Sequence, residues 1–420
     1  MLKDIREAFR HLFRSILVVF PMAVVTGSLV ALFLFLLDKA TLFRWQNKWI
    51  IYLLPLIGIL ITQIYQVIGK GSEAGNNLII DEINEESTKG VPLRMTPLII
   101  LTTVLTHLFG GSAGREGTAV QIGGSLAAFS NKIFKFKLIE KRLLVMAGVA
   151  AGFSAVFGTP IAATVFALEI LFVGRIRFDA LLTCLFASIV SNSVCLLYGI
   201  THTHYSIASN PLISIHQIDL LFLLKVILAG IAFGIASQIF VTFSELLKNS
   251  TKKYIQKKWL IPVIGGGMVL FISFLLNTDD YLGLSVISEK ANGISIVSAF
   301  KANGVDELSW FWKLILTAIT LSMGFKGGEV TPLFFIGAAL GNTLGMFLGC
   351  PVDLFAGLGF ISVFAAATNT PLASMLLGVE LFGGEFLPFF AISCIIAYYF
   401  SGSKGIYHSQ KNEASKWPKI

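Results

Sequence analysis

The chain contains two short motifs that each occur twice, and this duplication restricts the possible folds more than any other feature of the sequence. Gly114-Arg115-Glu116-Gly117-Thr118 returns as Gly327-Gly328-Glu329-Val330-Thr331, at an offset of 213 residues (327 − 114). Residues 153–162 return as residues 364–373, at an offset of 211 residues (364 − 153). Both offsets are close to half of the 420 residues, so the sequence predicts two related halves.

We predict a first membrane repeat at residues 1–215 and a second at residues 216–420, packed together as one bundle. In both copies of the second motif a glutamate follows the proline by nine residues, as Glu169 and Glu380. The polar residues 202–217 are interpreted as the connection between the repeats. The last apolar stretch ends near residue 402, so we expect no soluble regulatory domain.

The composition indicates that lipid is the solvent of this chain. Only 13% of the residues are charged and 55% are hydrophobic, whereas soluble proteins average about 25% charged residues. Residues 16–37 carry no charge and are about long enough to span a bilayer. Further apolar stretches predict about ten or more helices in an all-α integral membrane protein. They lie at residues 49–69, 95–114, 143–168, 180–200, 220–243, 260–276 and 314–402.

Several of the predicted helices are interrupted by neighbouring glycines, as at Gly110-Gly111, Gly123-Gly124, Gly265-Gly266-Gly267 and Gly327-Gly328. Lipid tolerates a broken helix only where the freed backbone groups are buried in protein or line a watery cavity. The breaks therefore indicate where a polar substrate binds.

The basic residues lie in short clusters between the apolar stretches and give a net charge of +8. Cytoplasmic loops of membrane proteins are enriched in Lys and Arg, so this charge predicts topology and not a nucleic-acid partner. We expect a multi-pass protein of the plasma (inner) membrane, in contact with lipid, with both termini in the cytoplasm. The clusters are Lys3, Arg6, Arg10 and Arg14, residues 132–142, residues 252–258, and Lys404, Lys411, Lys416 and Lys419.

Neither the cysteines nor the histidines form a metal-binding pattern. The cysteines lie in apolar surroundings without paired spacing, which favours buried thiols over disulfides or a zinc site. His202 and His204 are separated by one residue in a predicted loop, which is a weak pattern for a metal site. We predict no metal and no cofactor. The cysteines are Cys184, Cys195, Cys350 and Cys394.

Glu116 is the ionisable residue that most needs an explanation. It lies in an apolar region directly before a predicted helix, and a carboxylate at membrane depth is costly unless it is paired, protonated or functional. The helix start offers free N–H groups and the positive end of a dipole, which attract an anion, either the Glu116 carboxylate or a soluble one. The alternative is a structural salt bridge with Arg115, although adjacent residues on a helix do not face each other.

The Gly-Arg-Glu-Gly run and the two-repeat layout resemble the CLC family of chloride channels and anion/proton antiporters, over essentially the whole chain. The resemblance implies a CLC fold, with two inverted repeats of broken transmembrane helices and a homodimer with one pore per subunit. It implies that Glu116 is the gate, a carboxylate that occupies an anion site and leaves it when protonated. In the run Ser403-Lys404-Gly405-Ile406-Tyr407, Tyr407 corresponds to the family's anion-contacting tyrosine; an interfacial tyrosine is the alternative.

Four departures from the usual family pattern resemble the fluoride-specific branch, the CLC-F fluoride/proton antiporters. Thr118 follows the Gly-Arg-Glu-Gly run in place of proline, and Asn76 takes the place of the anion-contacting serine. Val330 replaces a phenylalanine. Ile170 replaces the second of two glutamates, which relays protons in the chloride/proton antiporters. The resemblance to this branch implies that fluoride and protons are the transported ions.

The physical chemistry of fluoride agrees with the exchange at Asn76. Fluoride is small and strongly hydrated, so its site needs strong donors, and an asparagine amide has two N–H donors where serine has one hydroxyl. The neighbouring Asn77 is either a weaker anion contact or a helix cap. Thr331, with Glu329, is either part of a cap or a contact in the ion or proton path. The predicted anion contacts are Asn76, Gly117, Val330, Thr331, Tyr407 and Asn77.

The route of the proton to Glu116 is open, because an isoleucine at position 170 cannot bind a proton. Glu329, Glu169 and the basic fluoride ion itself are the remaining carriers. Glu169 and its counterpart Glu380 lie close to predicted helix ends, which favours a structural role for both.

The predicted function is the export of fluoride driven by inward proton movement, without enzymatic activity. The alternative within the same family is a chloride/proton antiporter or a passive anion channel, against which Asn76 and Val330 argue. An intramembrane enzyme would need a nucleophile with a base, or a metal pair, and the predicted helices contain no such pattern. Repeats that build a shared central site argue against a receptor or scaffold.

Overall fold

The computed structural model describes residues 2–84, 90–134, 138–209, 219–412 and 416. The predicted repeat boundary at residues 215 and 216 lies outside these residues, as does Lys419 of the basic tail. The side chains of Lys3, Arg6, Arg10 and Arg14 also lie outside the described part of the chain. The boundary and the contribution of these charges to topology therefore stay predictions.

The described residues form fifteen α-helices. In chain order these are α1 (Leu2–Gln46), α2 (Leu54–Val67), α3 (Asn76–Ile83), α4 (Met95–Leu108), α5 (Glu116–Phe134), α6 (Leu138–Phe157), α7 (Pro160–Glu169), α8 (Leu181–Leu197), α9 (Leu220–Tyr254), α10 (Leu260–Leu275), α11 (Ser309–Ser322), α12 (Val330–Leu348), α13 (Val352–Thr368), α14 (Pro371–Phe382) and α15 (Leu387–Phe400). Short 3₁₀ helices lie at Lys48–Leu53, Phe178–Ala180, Ser298–Phe300 and Gly384–Phe386. The predicted all-α class is confirmed.

Five helical stretches within the described residues are long and apolar enough to cross a bilayer. They are Ile16–Gln46, Lys48–Val67, Phe178–Leu197, Leu220–Tyr254 and Val330–Leu348. Other apolar helices are shorter. The predicted breaks at Gly110-Gly111 and Gly327-Gly328 lie between helices, as expected. The predicted breaks at Gly123-Gly124 and Gly265-Gly266-Gly267 are wrong, because these glycines lie inside α5 and α10, where Gly123 and Gly266 permit close contact with neighbouring backbone. Leu197, Phe274 and Phe347 are 86%, 83% and 85% exposed, and large apolar side chains at such exposure are covered by lipid or by another chain.

The two repeats use the same helix crossing. α5 crosses α6 where a Cβ atom on Gly123 would lie 1.9 Å from the carbonyl oxygen of Gly148. α12 crosses α13 in the same way, where a Cβ atom on Gly337 would lie 2.0 Å from the carbonyl oxygen of Gly359. Any side chain at these glycines would separate the helices. Close backbone packing of this kind is typical of membrane helix pairs, and the sequence encodes it twice.

Two repeat-equivalent glutamates each cap a helix of the other repeat. Glu169, at the end of α7, accepts hydrogen bonds from the backbone N–H groups of Leu372 (3.1 Å) and Ala373 (2.8 Å) in α14. Glu380 in α14 accepts hydrogen bonds from two backbone N–H groups in the first turn of α7, at 3.1 and 2.7 Å. A carboxylate at a helix N-terminus satisfies N–H groups that have no partner within the helix. Both glutamates therefore have the structural role expected of them.

The C-terminal segment folds back onto the junction of the two repeats. Its strand β2 (Lys411–Asn412) pairs in parallel with β1 (Phe172–Val173). The side-chain amide of Gln410 donates hydrogen bonds to the carbonyl oxygens of Ile170 (2.9 Å) and Thr368 (2.7 Å). These contacts hold the segment beside the ends of α7 and α13. As a result Tyr407 is 4% exposed, so it is a buried residue and not an interfacial one.

Candidate functional site

The two loops that carry the first duplicated motif meet at the junction of the repeats. Gly114 and Gly328 form an antiparallel bridge in which each backbone N–H donates to the carbonyl oxygen of the other, at 2.6 and 2.8 Å. Directly after this bridge, α5 begins at Glu116 and α12 begins at Val330. The first turns of two helices, with their free N–H groups, therefore lie beside the same bridge.

The carboxylate of Glu116 is bound in the first turn of α12. Its side chain is 1% exposed. Oε1 accepts a hydrogen bond from Oγ1 of Thr331 at 2.5 Å, and Oε2 accepts one from the backbone N–H of Thr331 at 2.9 Å. Oε2 also accepts a hydrogen bond from the backbone N–H of Arg115 at 3.1 Å. The carboxylate thus fills a site of the kind that attracts anions at helix starts.

The geometry does not favour a structural salt bridge between Arg115 and Glu116. Nε of Arg115 lies 3.8 Å from Oε1 of Glu116, which is too long for a hydrogen bond. Nε also has no hydrogen-bond partner among the described residues. The predicted preference for a functional Glu116 is consistent with these distances.

Asn76 and Gly117 come together beside the bridge. A Cβ atom on Gly117 would lie 2.9 Å from Nδ2 of Asn76 and 3.2 Å from the Cα atom of Gly328. Only a glycine permits three chain segments to approach this closely. Oδ1 of Asn76 is buried and has no hydrogen-bond partner in the described part of the chain. Two of the predicted anion contacts are therefore adjacent to each other, and one of them, Gly117, directly follows Glu116.

Asn77 does not cap its helix. α3 begins at Asn76, and no side chain caps it. Oδ1 of Asn77 instead accepts a hydrogen bond from the backbone N–H of Ser409 at 3.0 Å, which ties the C-terminal segment to α3. The capping alternative is wrong because the oxygen is directed to another segment, and the role of Asn77 as an anion contact stays a prediction.

Glu329 and Thr331 do not cap α12 through their side chains either. Glu329 occupies the N-cap position without a side-chain cap hydrogen bond. Thr331 donates its hydroxyl hydrogen bond to Glu116. The capping alternative is therefore wrong for both residues, and Thr331 lies at the centre of the site.

A cavity of about 170 Å³ lies on one side of the bridge. Asn76, Asn77 and Tyr407 line it, so it contains three of the predicted anion contacts. Glu329 also lines this space, as does Lys248 near the basic end of α9. We refer to it as the Tyr407 cavity.

Further spaces lie on the other side of Glu116. Glu116, Thr331 and Arg115 line a small space of about 20 Å³. Arg115 and Thr203 line both this space and a larger cavity of about 350 Å³, here called the Arg115 cavity. Glu116 therefore lines the space next to the Arg115 cavity, whereas Gly327 and Glu329 of the second motif line the Tyr407 cavity.

Val330 differs in position from the other predicted contacts. It is the first residue of α12 and is 1% exposed within the hydrophobic core. An alkyl side chain has no hydrogen-bond donor, so Val330 shapes the apolar surroundings of the site. Its role as an anion contact stays a prediction.

Gln121 lines the Tyr407 cavity, although the sequence motifs did not single it out. It is 5% exposed, and its Oε1 has no hydrogen-bond partner in the described residues. Gln121 follows Gly117 by four residues, which is about one helical turn. An amide side chain one turn after the motif, between the apolar residues Val120 and Ile122, is the signal that would have identified it.

Comparison with known proteins identifies the family. A model described as "Voltage gated chloride channel" matches residues 58–402. A "Chloride/fluoride channel protein" of Pseudomonas syringae pv. tomato is 44% identical over 94% of this chain and 85% of its own length. The chain belongs to the voltage gated chloride channel family. This result confirms the resemblance inferred from the motifs and makes the chain a multi-pass membrane transporter of a family that is not enzymatic.

Solved structures of the voltage gated chloride channel family share the fold. The crystal structure of a CLC-type fluoride/proton antiporter matches with a TM-score of 0.89 and 36% identity, over 96% of this chain and 98% of that one. The structure of a slow cyanobacterial Cl⁻/H⁺ antiporter matches with a TM-score of 0.74 and 18% identity, over 94% and 96%. The second match supports the fold alone. The predicted CLC fold is confirmed.

Proposed function

We propose that the protein exports fluoride in exchange for protons that move inward. The observation that carries this proposal is the carboxylate of Glu116, which is buried and accepts two hydrogen bonds from Thr331 in the first turn of α12. While it is ionised, charge-assisted hydrogen bonds hold it there. Protonation removes the charge that these donors bind, so the carboxyl group leaves and fluoride takes its place.

Exchange follows from competition for one site. Fluoride and the ionised carboxylate need the same N–H and O–H donors, so one binds only where the other has left. A proton on Glu116 opens the site, and loss of that proton returns the carboxylate and expels the anion. Each cycle therefore couples proton entry to anion exit.

Fluoride, and not chloride, is favoured by the donors and by the relatives. The amide of Asn76 lies beside Gly117, and a small, strongly hydrated anion gains more from N–H donors than a larger one does. The similar crystal structure is that of a fluoride/proton antiporter, and the similar Pseudomonas protein is a chloride/fluoride channel protein. Chloride/proton exchange and passive anion conduction are the alternatives that the experiment below separates.

We further propose a homodimer in the plasma (inner) membrane, with one pore per subunit and both termini in the cytoplasm. Nζ of Lys404 lies 2.8 Å from Glu245 in α9, which brings the basic C-terminal segment to the basic end of that helix. By the positive-inside rule this side is cytoplasmic. The Tyr407 cavity then opens to the cytoplasm and the Arg115 cavity to the outside.

Purified protein in liposomes tests the proposal. Vesicles loaded with fluoride or chloride are diluted into anion-free buffer, and ion electrodes and a pH electrode record efflux and proton uptake. We expect fluoride efflux far above chloride efflux, with protons taken up during fluoride efflux. Equal efflux of the two halides argues for a chloride transporter of the same fold, and efflux without proton uptake argues for a channel.

A further inference from the structure

The loop after α8 places a histidine beside the proposed gate. His202 lines the space of about 20 Å³ that Glu116 and Arg115 also line. Its ring packs on the end of α6, where a Cβ atom on Gly158 would lie 2.5 Å from Cδ2 of His202. The imidazole also hydrogen-bonds to the backbone carbonyl group of Val156. Two contacts therefore hold the ring in place next to the glutamate that the proposed exchange requires.

The hydrogen bond to Val156 leaves the second nitrogen of the imidazole free. Nε2 of His202 is buried and has no partner in the described part of the chain, so Nδ1 makes the bond. A carbonyl oxygen only accepts, so Nδ1 carries the hydrogen and Nε2 presents a lone pair. Burial, followed by the positive charge of Arg115, lowers the pKa of His202 to about 4, which keeps the ring neutral at physiological pH. Nε2 is therefore an available proton acceptor.

The small space has the size and the polar groups that one water molecule needs. A water fits a cavity of about 10–15 Å³ or more and makes two to four hydrogen bonds. Nε of Arg115 is buried without a partner among the described residues, and it donates where Nε2 of His202 accepts. Glu116 lines the same space and brings a carboxylate acceptor. A single water can therefore connect His202 to Glu116.

The small space is also connected to the outer side of the protein. Arg115 and Thr203 line both this space and the Arg115 cavity, which opens to the outside in the proposed orientation. Phe157 and other apolar residues form much of the remaining wall. Among the described residues that line the space, only His202 and Glu116 have side chains that exchange protons within a few pH units of neutrality.

We propose that His202 carries protons from the Arg115 cavity to Glu116. A proton from the cavity binds Nε2, which gives an imidazolium with a hydrogen on each nitrogen. The bridging water then gives one proton to the Glu116 carboxylate and receives the Nε2 proton, so the ring returns to its neutral form and the water is regenerated. This inference rests on the proposed exchange of fluoride for protons.

The acidity of the imidazole suits this transfer. A pKa of about 4 for His202 is close to that of an ordinary carboxylic acid. A proton therefore passes between the ring and a carboxylate without a large free-energy step. Arg115 and His204 are the other charged or titratable groups that act on the ring, and both lower its pKa.

Three variants at position 202 distinguish a proton carrier from a structural residue. His202→Asn keeps an N–H donor for the carbonyl group of Val156 and removes Nε2. His202→Gln places an amide oxygen near the position of Nε2, where it can accept a hydrogen bond but cannot carry a proton. His202→Ala removes the ring and leaves room for a small molecule. His204→Asn is the matched control, because His204 is exposed in the same loop and lines neither space.

The test records initial fluoride efflux and proton uptake together, from liposomes in a weakly buffered outer solution at neutral pH. His202→Asn and His202→Gln should both lower the initial rate on the order of tenfold, as expected when an acid–base group is lost and water remains as a slower carrier. The half-saturating fluoride concentration and the proton-to-fluoride ratio should stay at the wild-type values, because Glu116 is unchanged. The deficit should shrink in an acid outer solution, and His204→Asn should match wild type.

Chemical rescue provides a readout that a structural role would not change. Imidazole in the outer solution should restore most of the rate of His202→Ala. Pyrazole has the same ring shape but is too weak a base to carry protons near neutral pH, so it should not restore the rate. Neither compound should accelerate the wild type.

The inference is overturned if His202→Asn and His202→Gln both keep the rate of His204→Asn. It is also overturned if only His202→Asn is slow, because an amide oxygen then replaces Nε2 without carrying a proton. Rescue of His202→Ala by both compounds, or by neither, contradicts a carrier as well. If His202→Ala fails to fold, the comparison of His202→Asn with His202→Gln provides the decision.

The wild type separates this inference from the proposed function. Fluoride efflux without proton uptake in the wild type refutes both. Coupled exchange in the wild type, together with a wild-type rate in His202→Gln, refutes the inference alone and leaves the proposed function intact.

Discussion

The two duplicated loops are alike in sequence but differ in how their glutamates are held. Glu116 in the first loop is 1% exposed and accepts two hydrogen bonds from Thr331 of the other repeat. Glu329 in the second loop is half-buried and lines the Tyr407 cavity without a side-chain cap bond. Thr118, the counterpart of Thr331, does not bind Glu329. Its Oγ1 lies 2.9 Å from Oγ1 of Thr103.

The symmetry of the duplication holds in the outer helices but not at the central site. Glu169 and Glu380 are bound alike, so the outer scaffold keeps the symmetry of the duplication. At the centre the symmetry is lost. Two ionised carboxylates bound alike beside one bridge would repel each other. One glutamate therefore binds the start of α12, and the other lines the Tyr407 cavity.

The strongest test of the comparison is Glu116→Gln. An amide cannot take up or release a proton, so we expect proton uptake to fall to that of protein-free vesicles. The measurement is proton and fluoride flux recorded together in liposomes. Wild-type coupling in this variant would show that Glu116 is not the gate.

The second test is the same change in the other loop. Glu329→Gln should lower proton flux while a fluoride leak persists, because this carboxylate lines the cavity and has no cap to maintain. Unchanged coupling would leave Glu116 and the anion itself as the proton carriers. Ile170→Glu is a companion variant. A higher proton-to-fluoride ratio in it would contradict the prediction that residue 170 has no role in proton transfer.

Thr331→Val and Thr118→Val compare the two threonines. Loss of the Thr331 hydroxyl removes a hydrogen bond to an ionised group, worth about 1.5–3 kcal/mol, so the carboxylate leaves its site more often without a proton. We expect the proton-independent fluoride leak at alkaline pH to rise roughly tenfold. Thr118→Val should leave that leak unchanged, and an equal leak in both variants would contradict the asymmetry of the loops.

Asn76→Ser and Asn77→Ser test the donors beside the first loop. Asn76 lies against Gly117, whereas Asn77 holds the backbone of Ser409. Replacing one amide donor should lower the ratio of fluoride to chloride efflux about fivefold in Asn76→Ser. The ratio in Asn77→Ser should change less. The reverse order would move the anion contact to Asn77.

The smallest functional effect is expected in the symmetric scaffold. Glu169→Ala and Glu380→Ala each remove a carboxylate from a helix start, which should lower the free energy of unfolding by about 1–2 kcal/mol. The unfolding midpoint in detergent should fall by a similar amount in both variants. Their proton-to-fluoride ratio should equal that of wild type, and a loss of proton flux in Glu169→Ala alone would instead identify Glu169 as the relay.

Much of the architecture follows from local patterns. The apolar stretches identify the membrane helices, because each must satisfy its own backbone groups in lipid. The duplicated motifs predict two related halves, in which α5 corresponds to α12 and α7 to α14. The capping alternatives for Asn77, Glu329 and Thr331 were wrong because a polar residue near a helix start has the same local sequence whether it caps the helix or contacts another segment.

The sequence by itself determined the membrane class, the duplication and the candidacy of Glu116, since composition, periodicity and an unpaired buried carboxylate are local properties. Only the tertiary structure decided what holds that carboxylate. Thr331 is 215 residues away from Glu116 along the chain. Nζ of Lys326 likewise lies 4.2 Å from the centroid of the distant Tyr65 ring, in the wall of the Tyr407 cavity. Contacts between distant residues depend on how the two repeats pack, and helix packing in lipid is set by the shapes of whole surfaces.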